Sequence, residues 1–280
     1  MDIPEYPFII DVYGENIVIW PKLNPKVDLE PEMKIKSVTE ALKTLFNTKE
    51  NQIIIKERSK QKGTLQYEKV ADQSENQVVI ENSIKYYINL NDYLDCGLFM
   101  DHRPFRKNIK KLKGNGQNFL NLFCYTTSVS IPAAEAGFKT VNVDLSNTYL
   151  EWGKKNFILN NIDPNNHQFI KKSTMDFLIE ALEEDIKYDI IFLDPPTFSN
   201  SKSMDTNFEV EKDHEFLIIR CMKILKKKGI LYFSNNKRSF KLAATLSDLY
   251  NIKNITEKSI PADFRDKKIH QLYEIRHVDD

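Results

Sequence analysis

The chain has 280 residues, 41% of them hydrophobic, and its 40 basic and 40 acidic side chains cancel. That composition excludes a disordered tail and leaves room for one large α/β domain beside a smaller one, while a net charge of zero removes any global argument for a polyanionic partner. Cys96, Cys124 and Cys221 stand far apart without metal-ligand spacing, the start MDIPEYPF lacks a signal peptide's pattern, and no apolar run approaches the roughly 20 residues of a membrane helix; a reduced, cytoplasmic protein without metal or membrane is expected.

The first segment, FIIDVYGENIVIW, alternates around a turn at Tyr13 to Asn16 and predicts a hairpin. The proline-dotted PKLNPKVDLEPEM leads to a short amphipathic helix over 38–46, and QIIIKER, LQYEKVA, QVVIEN and KYYINL read as strands. Residues 1–92 are therefore expected to form a small α/β domain, and the cluster Lys56, Arg58, Lys60 and Lys62 assigns it an RNA contact. Over 103–113, RPFRKNIKKLK carries six basic residues and no acidic one, with Phe105, Ile109 and Leu112 at helical spacing, which predicts a helix with one packing face and one basic face. Lys226, Lys227 and Lys228 with Lys237, Arg238 and Lys241 form a third cluster. One such run is usually a solvated face; three together point to phosphates.

From Asn118 the pattern changes to alternating strands (NFLNLF, TVNVD, HQFIKK, YDIIFLD, GILYFSN) and helices (130–135, 149–160, 175–184, 210–226). That order makes a parallel sheet flanked by helices. After a helix over 242–250, ITEKSI and HQLYEIRH read as two further strands, an antiparallel pair closing a seven-stranded Rossmann-like sheet over 93–280.

In such a sheet the ligand lies beyond the carboxyl ends of the strands. After the first strand, Phe123 to Thr126 form a turn without glycine. Asp144 ends the second strand, placed to accept ribose hydroxyls or to cap the next helix, a task Ser146 would also serve. Asp194-Pro195-Pro196-Thr197-Phe198 follows the fourth, and two prolines with fixed φ make a rigid ledge there. Phe198 could stack on an extruded base.

The strings DPPTFSNSKSM (194–204), FSNNKRSF (233–240), NDYLDCGLFMDHR (91–103), VDLSNTYLEW (143–152) and ERSKQKGTLQYEKVA (57–71) resemble the 23S rRNA guanine-N7 methyltransferase that forms the C-terminal half of a bifunctional bacterial rRNA methyltransferase. The resemblance spans nearly the whole chain and offers nothing for the family's other half, which methylates an exocyclic guanine amine. It implies an S-adenosylmethionine-dependent methyltransferase sheet with 23S rRNA as substrate class. It places Phe123, Tyr125 and Thr126 beside the cofactor, Asp144 on its ribose, Asp194 with Pro195 beside the sulfonium, and Asp101 to Arg103 against the cofactor, with Arg103 toward its carboxylate. Pro196 and Phe198 complete the expected catalytic set; Thr197, Lys202, Asn235, Asn236 and Arg238 are expected on the RNA. Two positions depart from the family pattern. Thr127 stands where relatives have a glycine, and Ser173, or Asp176, stands in for an aspartate on the adenine amine.

Guanine N7 offers an in-plane lone pair without a proton, so positioning rather than general-base chemistry is expected to dominate. Three alternatives stay open. An exocyclic amine is one, although Thr197 separates the prolines from the aromatic; cytosine C5 is another, although no cysteine follows the fifth strand; an RNA-binding module that has lost its cofactor is the third. A homodimer is also left open.

Overall fold

The computed structural model describes residues 3–24, 30–56, 77–92, 95–199 and 208–278. The strand expected at LQYEKVA, the cations Arg58, Lys60 and Lys62, and Lys202 lie outside the described residues. The chain divides into two compact units, Met1–Ile80 with Ile88–Cys96, and Glu81–Tyr87 with Gly97–Asp280.

In the first unit, β1 (Phe8–Tyr13) and β2 (Asn16–Pro21) pair antiparallel down to Tyr13 opposite Asn16. Gly14, at φ +63°, supplies the left-handed backbone that so short a turn demands. Helix α1 (Pro31–Phe46) begins well before the apolar period does, because a proline with preset φ opens it and Glu32 sits in its first turn. It lays Val38 and Leu42 on Ile17, Ile19 and Ile53, and β3 (Ile53–Ile55) joins β2 in parallel. β4 (Gln77–Glu81) and β5 (Ile84–Ile88) form a ladder of their own around Asn82 and Ser83, both at positive φ, and Glu81–Tyr87 of this ladder count with the second unit.

The second unit runs α2 (Arg103–Lys110), β6 (Asn118–Leu122), α3 (Ser130–Glu135), β7 (Lys139–Asp144), α4 (Asn147–Leu159), β8 (Gln168–Lys171), α5 (Thr174–Glu183) and β9 (Tyr188–Leu193). It continues with β10 (Phe198–Ser199), β11 (Phe208–Glu209), α6 (Val210–Ile224), β12 (Leu225–Asn235), α7 (Thr245–Leu249), β13 (Tyr250–Asn254), α8 (Thr256–Ser259) and β14 (Gln271–His277). Seven of these strands form one sheet in the order β13-β14-β12-β9-β6-β7-β8. β14 is antiparallel to both neighbours, and β12, β9, β6, β7 and β8 are mutually parallel.

Alternate residues along each central strand serve opposite faces. Phe119, Ile190, Phe192 and Tyr232 pack with Phe105 and Ile109 of α2 and Ala133 of α3. Leu120, Leu122, Ile191, Leu193, Leu231 and Phe233 pack with Phe177 and Leu178 of α5 and Leu217 and Ile218 of α6. Covering both faces is why β9 reads as a nearly continuous apolar run, while β6 and β7 each bury one asparagine, Asn121 and Asn142.

Two expectations need correction. ITEKSI is not a strand: the Asn254 side chain accepts the Thr256 N–H at 3.0 Å, which stops β13 and starts the single turn α8. The seventh strand is Tyr250–Asn254, taken partly from the expected helix. The second correction concerns α2, whose basic residues do not all face outward. Arg106 is 1% exposed and makes two hydrogen bonds to Glu81, from Nε to Oε1 at 2.7 Å and from Nη2 to Oε2 at 2.6 Å.

Candidate active site

β6 is the first parallel strand; the chain builds β7 and β8 on one side of it, then crosses to place β9 and β12 on the other. The reversal leaves a switch point between β6 and β9, where the turns after neighbouring strands splay apart and open a crevice. Phe123 to Thr127 leave β6 on one side of it, and Asp194 to Phe198 leave β9 on the other.

The turn after β6 reverses by alternation: Phe123, Tyr125 and Thr127 take φ of +56°, +51° and +60°. Three left-handed residues without a glycine are costly, roughly 1 to 2 kcal/mol each, and their side chains show what compensates. The Tyr125 hydroxyl accepts the Gly97 N–H at 2.9 Å, and the Thr126 hydroxyl donates to the Gly97 carbonyl at 2.6 Å. Tyr125 and Thr126 thus both anchor the incoming chain at Gly97, Thr126 fully buried and Tyr125 half-buried. Phe123 packs on the core, 6.0 Å between ring centroids from Phe208. Thr127 is fully buried, and a Cβ built on Gly153 of α4 would lie 2.6 Å from its Cγ2. Its side chain therefore fills a notch in α4, and the missing glycine is compensated from another element.

Asp144, at the end of β7, accepts the Tyr125 N–H at 2.9 Å and the Ser146 N–H at 2.8 Å. A carboxylate has about four acceptor sites, and with the Leu145 N–H also acting on this one, acceptor capacity is left for a ribose hydroxyl. Burial raises its pKa above the ordinary carboxyl value, opposed by these N–H donors. The helix-cap alternative falls to Ser146, whose hydroxyl accepts the Tyr149 N–H at 3.4 Å. The Asp144 carboxylate and the backbone of the β6 turn fit a nucleoside carrying an amino-acid chain.

Ser173 is the N-cap of α5: it accepts the Asp176 N–H at 3.1 Å and donates to the Asp176 carboxylate at 2.7 Å. Both substitutes for the adenine contact are thus engaged with each other. Arg103 opens α2, where its guanidinium pairs with Asp263 at 2.5 Å instead of standing free for a carboxylate.

Across the crevice, Asp194 is half-buried, Pro195 buried, and Phe198 43% exposed, which leaves its ring open to stacking. Phe198 and Ser199 pair with Phe208 and Glu209, and Thr197 donates to Asn236 Oδ1 at 2.6 Å, so the turns after β9 and β12 are tied together. Asn235 is buried; its Oδ1 accepts the Lys237 N–H at 3.1 Å and its Nδ2 has no acceptor among the described residues. Arg238 is exposed and paired with Asp266.

Asp101 and His102, which the resemblance set against the cofactor, belong to a cluster beside Asp194 whose other members, His270 and Ser234, sequence reasoning did not name. His102 Nε2 lies 2.9 Å from Ser234 Oγ and 4.0 Å from Asp194 Oδ2, and its ring stacks on His270 with centroids 4.4 Å apart. His102 lies inside the quoted string MDHR, yet His270 is separated from it by 168 residues and no local signal joins them.

The family described as S-adenosylmethionine-dependent methyltransferase matches residues 35–258. The ribosomal RNA large subunit methyltransferase K of Neisseria meningitidis is 44% identical over 99% of this chain and 78% of its own length. The ribosomal RNA large subunit methyltransferase K/L of Hahella chejuensis is 43% identical over 99% of this chain, which spans 38% of that longer protein. A solved methyltransferase complexed with SAH superposes with a TM-score of 0.76 at 24% identity, covering 96% of this chain and 71% of that one, and supports the fold.

Proposed function

Because the chain belongs to the S-adenosylmethionine-dependent methyltransferase family, we propose that it transfers the methyl group to a base of large-subunit ribosomal RNA, at guanine N7. The two relatives named above are large-subunit rRNA methyltransferases, which supports the RNA class. The observation that carries the reading of the site is the turn after β9, a half-buried carboxylate and, four residues on, an exposed phenyl ring, facing the glycine-free turn across the switch point.

Bound S-adenosylmethionine supplies an electrophilic methyl group on a positively charged sulfur. The backbone of Phe123 to Thr126 and the Asp144 carboxylate would hold it, with Ser173 at the adenine end. N7 needs no base, so the chain's task is alignment: Phe198 stacks on the purine, while the ledge of Pro195 and Pro196 fixes Asp194 where positive charge passes to the base. Thr197, Asn235, Asn236 and Arg238, together with Lys202, read or hold the RNA around it.

Cytosine C5 chemistry would need a thiolate to attack the ring. All three cysteines are buried, and burial raises the Cys124 and Cys221 thiols well above their ordinary value. Asn235 stands at the end of β12 where that nucleophile would be expected. The test is nucleoside mass spectrometry of 23S rRNA, naked and in precursor particles, after incubation with protein and cofactor. The expected product is 7-methylguanosine; 5-methylcytidine or an amine-methylated base would overturn the N7 reading. Asp194→Asn should slow single turnover by about 10- to 100-fold with little change in RNA affinity, whereas Phe198→Ala should weaken base capture by about 1 to 3 kcal/mol. Normal turnover by Asp194→Asn would displace the site.

A further inference from the structure

The cluster behind the ledge is built more tightly than packing requires. Asp101 Oδ2 lies 2.8 Å from His270 Nδ1 and 3.4 Å from His102 Nδ1, so one carboxylate oxygen serves two stacked imidazoles. At the far end the Ser259 hydroxyl donates to the Thr256 carbonyl at 2.7 Å and lies 2.7 Å from His270 Nε2. At the near end His102 Nε2 meets Ser234 Oγ and faces Asp194. The His102 ring is buried and packs T-shaped with Phe105 and Phe192.

We propose that His102 is a positioning residue for methyl transfer, its imidazole held between Asp101 and Ser234 so that its Nε2 edge, 4.0 Å from Asp194 Oδ2, steadies that carboxylate at the crevice electrostatically. The proposal rests on the reading of Asp194 as the catalytic carboxylate. The charged groups facing His102 are Asp101 on its own turn, Arg106 on α2 and Asp194 after β9, with the His270 ring stacked on it and Ser234 of β12 as the neutral partner. Burial opposes a charged imidazole, yet Asp101 and then Asp194 outweigh it, and the His102 pKa rises above the ordinary histidine value despite Arg106. Burial likewise opposes charge on Asp101, but the two histidines hold its carboxyl well below the usual range. In the charged form both ring nitrogens of His102 donate, one toward Asp101 and one toward Ser234 and Asp194. Once the proton is lost, Asp101 retains the Nδ1 hydrogen, and Nε2 turns a lone pair toward the Asp194 carboxylate. The sign follows: a raised pKa keeps the supporting form at low and neutral pH, and the support is lost as pH rises through that value.

The test is the single-turnover rate of the full chain at saturating cofactor and RNA across roughly pH 6 to 9, where histidine titrates. Wild type should lose about tenfold on the alkaline side. His102→Gln should be slow and flat with pH while its cofactor affinity stays within about twofold, and Asp101→Asn should move the alkaline limb to lower pH. A flat wild-type profile needs no variant to fold and would overturn the proposal, as would a folded His102→Gln protein with the wild-type limb. Loss of activity to a chelator that zinc restores would also overturn it, since the Asp101, His102 and His270 ligand atoms lie within 4.8 Å of one another and would then be a metal site. Asp194→Asn run in parallel separates the failures: a slow Asp194→Asn beside a wild-type His102→Gln rejects only the inference, and a normal Asp194→Asn rejects the site itself.

Discussion

Thr127 and Gly153 form a lock between the turn after β6 and α4, and neither residue makes sense alone. Thr127 pays for its φ of +60°, and Gly153 costs α4 about 1 kcal/mol of helix propensity relative to alanine. Gly153→Ala should therefore help a helix in isolation but here drive a methyl group into Thr127, at a net loss of about 1 to 3 kcal/mol with a weakened cofactor site. Thr127→Gly should open the space, so that the double variant recovers both stability and affinity. Urea unfolding and calorimetry with S-adenosylmethionine measure the cycle; strictly additive effects would show that the two residues do not act as a unit. The sequence shows the threonine as a departure from the glycine pattern of the family it resembles. The compensating glycine lies 26 positions later, where nothing local marks it as a partner. The same distance problem hides His270 and Asp263, while Asp144 and Asp194 were legible because strand ends in a parallel sheet are ordered by the chain itself.

α2 shows how an element can be read correctly in outline and wrongly in chemistry. Its apolar residues Phe105 and Ile109 do face the sheet as their spacing predicts, but Arg106 lies with them, held by Glu81 and lying 5.9 Å from the Tyr86 ring centroid. Periodicity scores an arginine as a solvent residue, and only a partner from β4, 25 positions earlier, makes its burial tolerable. The pair ties α2 to the hairpin; the Tyr86 hydroxyl adds a bond to the Ser128 carbonyl at 3.2 Å. Glu81→Ala should cost about 3 to 5 kcal/mol, because the guanidinium stays buried without its counter-charge. Replacing both residues with methionine should recover most of that loss. Urea titration of the three proteins decides it, and a Glu81→Ala protein of wild-type stability would mean that water reaches Arg106. The strands of the sheet were legible for the converse reason: their apolar runs need no partner to be recognised, and only the last, where a side-chain cap ends β13, escaped.

At the scale of the whole molecule the charge balance of zero hides how cations are used. Arg103 and Arg238, expected to meet a carboxylate and the RNA, are both paired with aspartates of one stretch, Asp263 and Asp266, in the connection between α8 and β14. Sequence reading counted Arg238 within a basic cluster because the neutralising aspartate is 28 positions away. An exposed pair of this kind is worth only about 0 to 1 kcal/mol, so RNA phosphate can compete for the guanidinium at little cost. Removing the aspartate should then favour binding. Asp266→Asn frees Arg238 without adding bulk, and a freed cation that neutralises one more phosphate should steepen the dependence of log affinity on log salt by about 0.7 to 0.9. Affinity for a large-subunit rRNA fragment should rise at low salt and converge on wild type as salt increases, with the single-turnover rate at saturating RNA unchanged. Filter binding across a salt series measures both slope and intercept. Arg238→Gln should bind at least as weakly as wild type, and adding Asp266→Asn to it should change nothing further. An unchanged slope in Asp266→Asn would remove Arg238 from the RNA path and leave the substrate side to Phe198, Thr197 and the asparagines after β12.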